Sequence, residues 1–406
     1  TLDHVLGAAI AARASDFYID ILEPDDEAVL SFRTYGIVRE FERMSAEEGK
    51  EIATGLFARA GNDQWDSSTP TDTSFSHWQG GRLYRVRANS LPEVRGAALS
   101  CRIRDPQFVL PLGEAGYSPG QQGYITRMCR APGGLILITG ETNSGKSTTL
   151  ASLMKDAPRG QRMIEIGDPV EVWFDGVTHC EIDHRKEDPE AFFASVLAST
   201  VRQNPDALVL GEIRDPLTAG AAQNMAIQGK RVFSTLHTQS CVAALPRLAN
   251  LGIDAHLLTL REFIAGLVNQ NLVPLVCPDC CRREPADPSL ADRYRALFGE
   301  KARYVNPDGC GPSNPKCIAG VVGQTLVAEV FPLGLDDGHA HELIGSNRLW
   351  ELQEHMQKKF RIQTKQEHAR DKVLSGLIDP ELTEAIIGEW PTGIREVPTS
   401  HSGTFS

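Results

Sequence analysis

The sequence contains no apolar run close to the roughly 20 residues that a helix needs to cross a bilayer. Its first segment, TLDHVLGAAIAARASDFYID, carries charged residues within its apolar part. We therefore expect an amphipathic helix followed by a strand, and not a signal peptide. Any association with a membrane is expected to go through a partner protein.

An excess of basic residues is also missing. The 41 Lys and Arg residues are outnumbered by 53 Asp and Glu residues, which gives a formal net charge of -12. Proteins that coat nucleic acids or lie against anionic membranes need a basic surface. The charge balance argues against both classes, although it is compatible with a local basic patch.

The cysteines show no disulfide framework. The nine cysteines are an odd number and are mostly scattered, whereas small secreted domains space an even number for disulfides. We therefore expect a cytoplasmic location. The sequence also lacks internal repeats and long low-complexity tracts, and its 406 residues are enough for several domains.

Residues 1–106 are predicted to form a small α+β domain. AVLSFRTYGIVREF predicts two strands with a turn at Gly36, and SAEEGKEIATGLFARAG predicts a helix capped by Ser45, with Glu48 three positions later. GRLYRVRANSLPEVRGAALSCRIRD predicts two more strands. The Pro- and Gly-rich residues 107–120 follow as a linker.

An α/β domain is predicted over residues 121–275. The apolar strands GGLILITG, MIEIGD, ALVLGE and RVFSTLHT lack polar alternation and are separated by helical stretches. This pattern is typical of a parallel sheet covered on both faces. A cysteine module at 276–330, a helical region at 331–394 and a disordered tail at 395–406 are expected to follow. In the helical region four apolar residues at helical spacing predict core packing: Leu349, Leu352, Met356 and Phe360.

The segment GETNSGKST, residues 140–148, matches G-x-x-x-x-G-K-[ST] between an apolar strand and a helical run. Gly140 and Gly145 let the backbone curl so that N–H groups and a helix N-terminus face phosphates. Lys146 is predicted to bind the β- and γ-phosphates, and the Ser147 hydroxyl to bind Mg²⁺. The sequence therefore predicts binding of ATP or GTP by nine residues: Gly140, Glu141, Thr142, Asn143, Ser144, Gly145, Lys146, Ser147 and Thr148.

Three further strands end in polar residues. DALVLGEIRD delivers Glu212 to the carboxyl edge of the predicted sheet, where ligands bind. There it can polarise an attacking water or hold the magnesium shell. IEIGDPVE and FSTLHTQS share this design, so Asp168, Glu171 and His237 are candidates for the same rim. Taken alone, His237 would more often be a histidine of the core than a catalytic one. Its position at a strand end beside the phosphate loop favours the catalytic role.

In this order, the phosphate loop, IGDPVE, LVLGEIRD and STLHTQS resemble the secretion ATPase superfamily, whose members power type II secretion, type IV pilus extension and retraction, and type IV secretion or conjugation. The stretches ASDFYID, RTYGIVREF and LPEVRGAALSCRIRD resemble its N-terminal PAS-like domain. The resemblance covers most of residues 10–390. It implies a PAS-like α+β domain, then a RecA-like P-loop ATPase domain with a cysteine insertion of the zinc type and C-terminal helices.

The resemblance also implies a homohexameric ring. ATP and Mg²⁺ would lie between the N-terminal and RecA-like domains, and hydrolysis would open and close that gap. By motif position Lys146 and Ser147 bind phosphate and magnesium, and Glu212 is the catalytic glutamate. Glu171 and His237 support the site.

Several N-terminal arginines match family positions, some of which reach the γ-phosphate as arginine fingers. Each would otherwise be a solvated strand residue: Arg87, Arg95, Arg102 and Arg104. Arg214, in the GEIRD motif, is expected to brace the rim of the sheet. The sequence departs from the family pattern where an acidic residue, a histidine and two basic residues are usual: Gly167, Tyr18, Asn271 and Val276.

LVCPDCCRRE contains Cys277 and Cys280 in a C-x-x-C pair, and CGPSNPKC adds Cys310 and Cys317 in a longer C-x₆-C pair. Four thiolates suit a structural Zn²⁺. A reduced cluster that has lost its metal and a redox C-x-x-C are the alternatives. Cys281 is an alternative ligand to Cys280.

The expected function is that of a hexameric ATPase motor that acts on an inner-membrane platform protein of a pilus, type II or type IV secretion machine. It would be cytoplasmic, peripheral to the inner membrane through partners, and without direct nucleic-acid binding. The alternatives are a RecA-like nucleic-acid motor, a regulatory subunit that no longer hydrolyses ATP, and a pilus retraction motor. The cysteine module favours assembly, whereas the lack of a long extra N-terminal domain favours retraction.

Overall fold

A computed structural model describes residues 1–62, 65–156, 160–182 and 188–391. The tail predicted at 395–406 lies outside the described residues. The chain builds an N-terminal unit on a six-stranded sheet and a larger unit on a seven-stranded sheet. The mixed α/β fold predicted from the sequence is confirmed.

The N-terminal unit has its helices on one face of an antiparallel sheet of order β3-β2-β1-β6-β5-β4. Its elements are α1 (Leu2–Ala11), β1 (Asp16–Leu22), β2 (Glu27–Thr34), β3 (Ile37–Met44), α2 (Ala46–Arg59), β4 (Thr71–Gln79), β5 (Arg82–Glu93) and β6 (Gly96–Arg104). Strand β2 alternates buried and half-buried residues, as expected for a sheet with one covered face. Residues of both helices share a hydrophobic cluster with this face.

Two local signals in this unit act as the sequence predicts. Tyr35 and Gly36 join β2 to β3 with φ values of 55° and 86°, the left-handed pair that a tight hairpin turn uses. Helix α2 begins after Ser45, whose hydroxyl accepts the Glu48 N–H while the Glu48 carboxylate accepts the Ser45 N–H. The predicted turn and capping box are therefore confirmed.

The larger unit is built on strands β7 (Gly134–Thr139), β8 (Met163–Gly167), β9 (Val177–Glu181), β10 (Ala207–Leu210), β11 (Arg231–Leu236), β12 (Ile264–Val276) and β13 (Val321–Phe331). Their order is β13-β12-β7-β11-β10-β8-β9, and only β13 is antiparallel to its neighbour. The central strands are buried along their whole length. The covering helices include α3 (Pro119–Cys129), α4 (Lys146–Lys155), α5 (Pro189–Arg202), α6 (Pro216–Ile227), α7 (Cys241–Asn250) and α8 (Ala255–Leu258).

Along the chain, the cysteine segment and α9 (Ala291–Phe298) lie between β12 and β13. Strand β13 then pairs with β12 as part of the seven-stranded sheet. Up to residue 391, the end of the described part, four α-helices follow: α10 (His339–Gly345), α11 (Leu349–Phe360), α12 (Lys365–Leu374) and α13 (Pro380–Ile387). In α11, Leu352 and Met356 are fully buried, and Leu349 and Phe360 pack against the same cluster. The apolar stripe is core packing, as predicted.

Within the described part of the chain, no helix combines the length and the apolar character that crossing a membrane requires.

Candidate nucleotide-binding site

The phosphate loop connects β7 to the N-terminus of α4 through three residues with positive φ. Gly140, Asn143 and Gly145 have φ values of 147°, 63° and 83°. A Cβ at Gly140 would lie 2.3 Å from the Gln270 carbonyl oxygen, so only glycine fits there. The loop thus curls tightly and presents the start of a helix, which is the geometry that binds phosphate.

Lys146 lies inside this loop and is only 8% exposed. Its Nζ donates to the Gly140 carbonyl oxygen at 2.9 Å and to the Glu141 carbonyl oxygen at 2.6 Å. Burial lowers the pKa of Lys146, while the nearby carboxylates of Glu212 and Glu171 act in the opposite direction. An anionic phosphate would compensate the charge of this buried ammonium group.

The carboxyl ends of the parallel strands bring the predicted rim residues together. Glu212 follows β10 and His237 follows β11, and the His237 Nε2 lies 3.2 Å from a Glu212 carboxylate oxygen. Asp168 follows β8 and accepts a 2.6 Å hydrogen bond from Arg214. Arg214 therefore braces the rim, as the sequence predicts.

A cavity of about 520 Å³ joins the phosphate loop to the rim and to the N-terminal unit. It is lined by loop residues 142–148, by Glu171, Glu212 and His237, and by Arg102 and Arg104 from β6. These loop residues include Lys146. Six predicted catalytic side chains therefore surround one space: Lys146, Glu171, Glu212, His237, Arg102 and Arg104.

The two arginines of β6 enter this cavity in different ways. Arg102 Nε donates to Asp16 at 3.0 Å, and its Nη2 donates to the Asn143 side chain in the phosphate loop at 3.1 Å. Arg104 lines the cavity, and its buried Nε makes no hydrogen bond within the described part of the chain. Arg102 thus already links the two units, while the Arg104 Nε has no hydrogen-bond partner among the described residues.

Two other predicted arginines are held elsewhere. Arg87 pairs with Asp72 at 2.5 Å on neighbouring β4, and Arg95 pairs with Asp25 at 3.6 Å. Neither arginine is among the residues that line the cavity.

The cavity has the chemical features that a nucleotide with Mg²⁺ needs. The Ser144 Oγ is buried at its wall and makes no hydrogen bond with any described residue. Ser147 contributes a second hydroxyl, and Glu171 and Glu212 contribute carboxylates. Hydroxyl and carboxylate oxygens are the ligands that Mg²⁺ prefers. The residues present therefore fit ATP with Mg²⁺.

A buried polar network behind the loop was not predicted. Tyr117 and Thr149 donate to the Gln270 Oε1 at 2.6 Å and 3.0 Å, and the Gln270 Nε2 donates to the Ser144 carbonyl oxygen at 2.8 Å. All three side chains are buried. Gln270 thus fixes the loop to β12. The polar triplet NQN inside an otherwise apolar strand, IAGLVNQNLVPLV, is the sequence signal that could have revealed it.

The same triplet reaches the histidine-bearing loop. Asn269 donates to the Thr139 hydroxyl at 2.7 Å and to the Thr238 carbonyl oxygen at 2.9 Å. Asn271, one of the departures from the family pattern, accepts a 3.0 Å hydrogen bond from Lys365 of α12. Lys365 also donates to the Gln239 carbonyl oxygen at 2.8 Å. The loop after His237 is therefore tied to both β12 and the C-terminal helices.

The four predicted cysteine ligands lie together, away from the nucleotide cavity. Their sulfur atoms all lie within 4.8 Å of one another, with Cys277–Cys310 at 3.6 Å and Cys280–Cys317 at 3.7 Å. Four sulfurs about 2.3 Å from one zinc ion would be about 3.8 Å apart in a tetrahedron. The longer C-x₆-C loop thus closes the cluster, and the residues present fit zinc.

The fold and this site define a P-loop ATPase with a RecA-like core behind an N-terminal α+β unit. The chain belongs to the type II/IV secretion system protein family, since the family described as "Type II/IV secretion system protein" matches residues 1–396. The resemblance stated from the sequence motifs is confirmed. The chain is therefore an enzyme of the secretion ATPase class.

The relatives found by sequence include type II secretion proteins. The type II secretion system ATPase E of Vibrio cholerae is 31% identical over 389 residues, which are 94% of this chain and 73% of that protein. The type II secretion system protein E of Pseudomonas aeruginosa is 31% identical over 355 residues, which are 84% of this chain and 66% of that protein. The chain thus spans about two thirds to three quarters of these relatives.

Solved structures share the fold over nearly the whole chain. The ATPase DotB of Legionella pneumophila superposes with a TM-score of 0.68 at 20% identity and covers 95% of both chains. The pilus retraction motor PilT with bound ADP superposes with a TM-score of 0.64 at 23% identity, covering 94% of this chain and 96% of PilT. The two-unit architecture is therefore that of these ATPases.

Proposed function

We propose that the protein is a hexameric motor that uses ATP hydrolysis to drive pilus assembly or the secretion of protein or DNA across a bacterial envelope. The observation that carries this proposal is the cavity shared by the phosphate loop, Glu212, His237, Arg102 and Arg104. A nucleotide bound there would contact both units of the chain. The loss of its γ-phosphate would then change the attraction between the units, which is how hydrolysis becomes movement.

The side chains of the cavity divide the chemical work. Lys146 would bind the β- and γ-phosphates, and Ser147 would hold Mg²⁺. Bound Mg²⁺ would neutralise part of the charge on the phosphates. Glu212 would orient the attacking water and accept its proton, since it ends a buried strand and faces the cavity. His237, at 3.2 Å, would hold the Glu212 carboxylate, and Glu171 would support the metal shell.

Arg102 and Arg104 would stabilise the negative charge that develops on the γ-phosphate. Their support is their place in the cavity wall and, for Arg104, a buried donor without a partner in the described chain. This role depends on how closely the N-terminal unit approaches the phosphate loop. Arg87, which Asp72 holds, stays a prediction for the same role.

The four cysteines would bind one structural Zn²⁺. The support is the tight arrangement of the sulfur atoms of Cys277, Cys280, Cys310 and Cys317. A bound zinc ion would join the end of β12 to the segment before β13 and so would stabilise the insertion between these two strands. It would take no part in ATP hydrolysis.

The motor would act on an inner-membrane platform protein of a pilus or secretion machine. Relatives named as type II secretion system ATPase E and type II secretion system protein E align over most of this chain. The cysteine cluster favours an assembly or secretion motor over a retraction motor. A formal net charge of -12 disfavours direct contact with nucleic acid, so the protein would reach the membrane through its partner.

Mass measurement combined with ATP turnover tests this proposal. The purified chain should assemble into hexamers in the presence of a non-hydrolysable ATP analogue, and assembly should raise ATP turnover per chain. Single-stranded DNA should leave turnover unchanged. Strong stimulation by single-stranded DNA would instead identify a nucleic-acid motor, and an assembled hexamer without turnover would identify a regulatory subunit.

A further inference from the structure

An ion pair that the sequence analysis did not predict connects the two units beside the nucleotide cavity. Arg85 of β5 lies across the gap from Glu181, the last residue of β9. Its Nη1 donates to one carboxylate oxygen of Glu181 at 2.5 Å, and its Nη2 donates to the other at 2.8 Å. This two-point geometry raises the pKa of Arg85. Such pairs orient their partners more strictly than a single contact does.

The pair encloses the backbone of Val170, which precedes Glu171 in the chain. Arg85 Nη1 donates to the Val170 carbonyl oxygen at 3.4 Å, and the Val170 N–H donates to Glu181 at 3.4 Å. Glu171 itself lines the nucleotide cavity. The position of a carboxylate at the site therefore depends on a peptide held by residues of two different units.

Gly167 of β8 lies beneath this loop and beside Glu181. Gly167 and Glu181 are direct partners in the parallel pairing of β8 with β9. A Cβ at Gly167 would lie 2.8 Å from the Val170 Cα, because the loop folds back over this residue. A side chain has no room at that position. The neighbouring strand supplies the carboxylate that faces the loop.

Two neighbours of Arg85, Trp173 and Arg104, connect it to the loop and to the nucleotide cavity. The Arg85 guanidinium lies 5.8 Å from the centre of the Trp173 ring, and the backbone N–H of Trp173 donates to the Pro106 carbonyl oxygen at 2.8 Å. In the sheet Arg85 is paired with Arg104. Paired residues on antiparallel strands lie on the same face. A movement of this sheet therefore carries Arg104 and the loop at 168–173 together.

We propose that Arg85 and Glu181 are positioning residues for ATP hydrolysis, which couple the placement of Glu171 to the approach of the N-terminal arginines. The inference rests on the ATPase function proposed above. When the N-terminal unit moves away, Arg104 leaves the phosphate and the loop bearing Glu171 loses its anchor. Hydrolysis then stops because two groups withdraw at once.

Steady-state ATP turnover by the assembled protein tests this coupling. Arg85→Gln and Glu181→Gln should each lower kcat roughly tenfold and leave KM for ATP within about twofold, because Lys146 and Ser147 are untouched. Arg85→Lys keeps a positively charged donor beside Glu181 and the Val170 carbonyl oxygen, and should retain more of the kcat than Arg85→Gln. Arg82→Gln is the matched control. Arg82 lies on the same strand, and its exposed side chain pairs at 3.4 Å with Asp105, which directly follows β6. It should behave as the wild type.

Wild-type kcat in both single variants would overturn the proposal, as would Arg85→Lys being no more active than Arg85→Gln. Hydrogen exchange of residues 168–174 separates this result from a failure of the proposed ATPase function, because it needs no nucleotide. Arg85→Gln should speed exchange in this segment, and Arg85→Lys should speed it less. Unchanged exchange in Arg85→Gln would contradict the anchor even if the wild type hydrolyses ATP.

Discussion

The His237 Nε2 lies 3.2 Å from a Glu212 carboxylate oxygen, across the ends of neighbouring strands β11 and β10. Both side chains are partly exposed, at 43% and 36%, and both line the cavity that holds the phosphate loop. Buried core pairs exclude water, whereas this pair faces the space where a nucleotide and its attacking water would lie. His237 is therefore placed to orient Glu212.

Replacement of His237 should slow ATP hydrolysis more than it weakens ATP binding. His237→Ala removes the group beside Glu212, so kcat should fall roughly 10-fold to 100-fold. His237→Gln keeps a side-chain donor and should retain more activity. His256→Ala, at an exposed position on α8, should have no effect. Equal kcat values for His237→Ala and the wild type would show that Glu212 needs no such support.

Gln270→Met should destabilise the protein and loosen the phosphate loop. The change removes the hydrogen bonds that Gln270 makes with the buried Ser144 carbonyl oxygen and the buried Tyr117 hydroxyl. Their loss should lower the free energy of unfolding by about 1–3 kcal/mol. Urea denaturation and nucleotide titration would measure both effects. Gln228→Met, at an exposed site after α6, is the control. A wild-type unfolding midpoint for Gln270→Met would contradict the importance of the network.

The purified protein, prepared without chelator, should contain about one zinc ion per chain. Cys310→Ser removes one of the four clustered sulfurs and should abolish stoichiometric zinc and lower the melting temperature. Cys281→Ser lies next to the cluster but outside it, and should keep the metal. Elemental analysis gives the result directly. A wild-type content well below one zinc per chain would make the cluster a metal-free remnant.

Asp379 should give the stability of the C-terminal helices a pH dependence. Burial raises the pKa of Asp379 to about 6, above the ordinary value of 3.8. The folded protein therefore binds the proton of the Asp379 carboxyl group more tightly than the unfolded chain does. The resulting stabilisation is complete below pH 3.8 and is lost as the pH rises through 6. The total loss is on the order of 2–3 kcal/mol. Asp379→Asn should lack this loss, and parallel stability curves for both proteins between pH 4 and 7 would contradict it.

Motif residues were the part of the site that the sequence could predict. Gly140 and Lys146 sit in a pattern with one known use, and Glu212 and His237 follow apolar strands whose ends must meet at one edge of a parallel sheet. Chain order alone therefore places them together. The hairpin at Gly36 and the cap at Ser45 were predictable for the same reason, since each depends on residues within a few positions.

Contacts between distant segments could not be predicted in this way. Gln270 and Tyr117 meet across 153 positions, and Arg85 and Glu181 across 96 positions. Neither pair belongs to a local pattern, and surface-type residues such as Arg85 have many available partners. Which N-terminal arginines enter the cavity was likewise open, because the pairing of Arg87 with Asp72 depends on the register of β4 with β5.

The most direct test of the account compares Glu212→Gln with the wild type in ATP binding and ATP turnover. The substitution keeps the size of the side chain and removes the carboxylate charge. Turnover should fall by roughly 100-fold or more, because the attacking water loses its base. ATP affinity should remain near that of the wild type, since Lys146 and the phosphate loop are unchanged. Turnover equal to the wild type would contradict the assignment of the active site to this cavity.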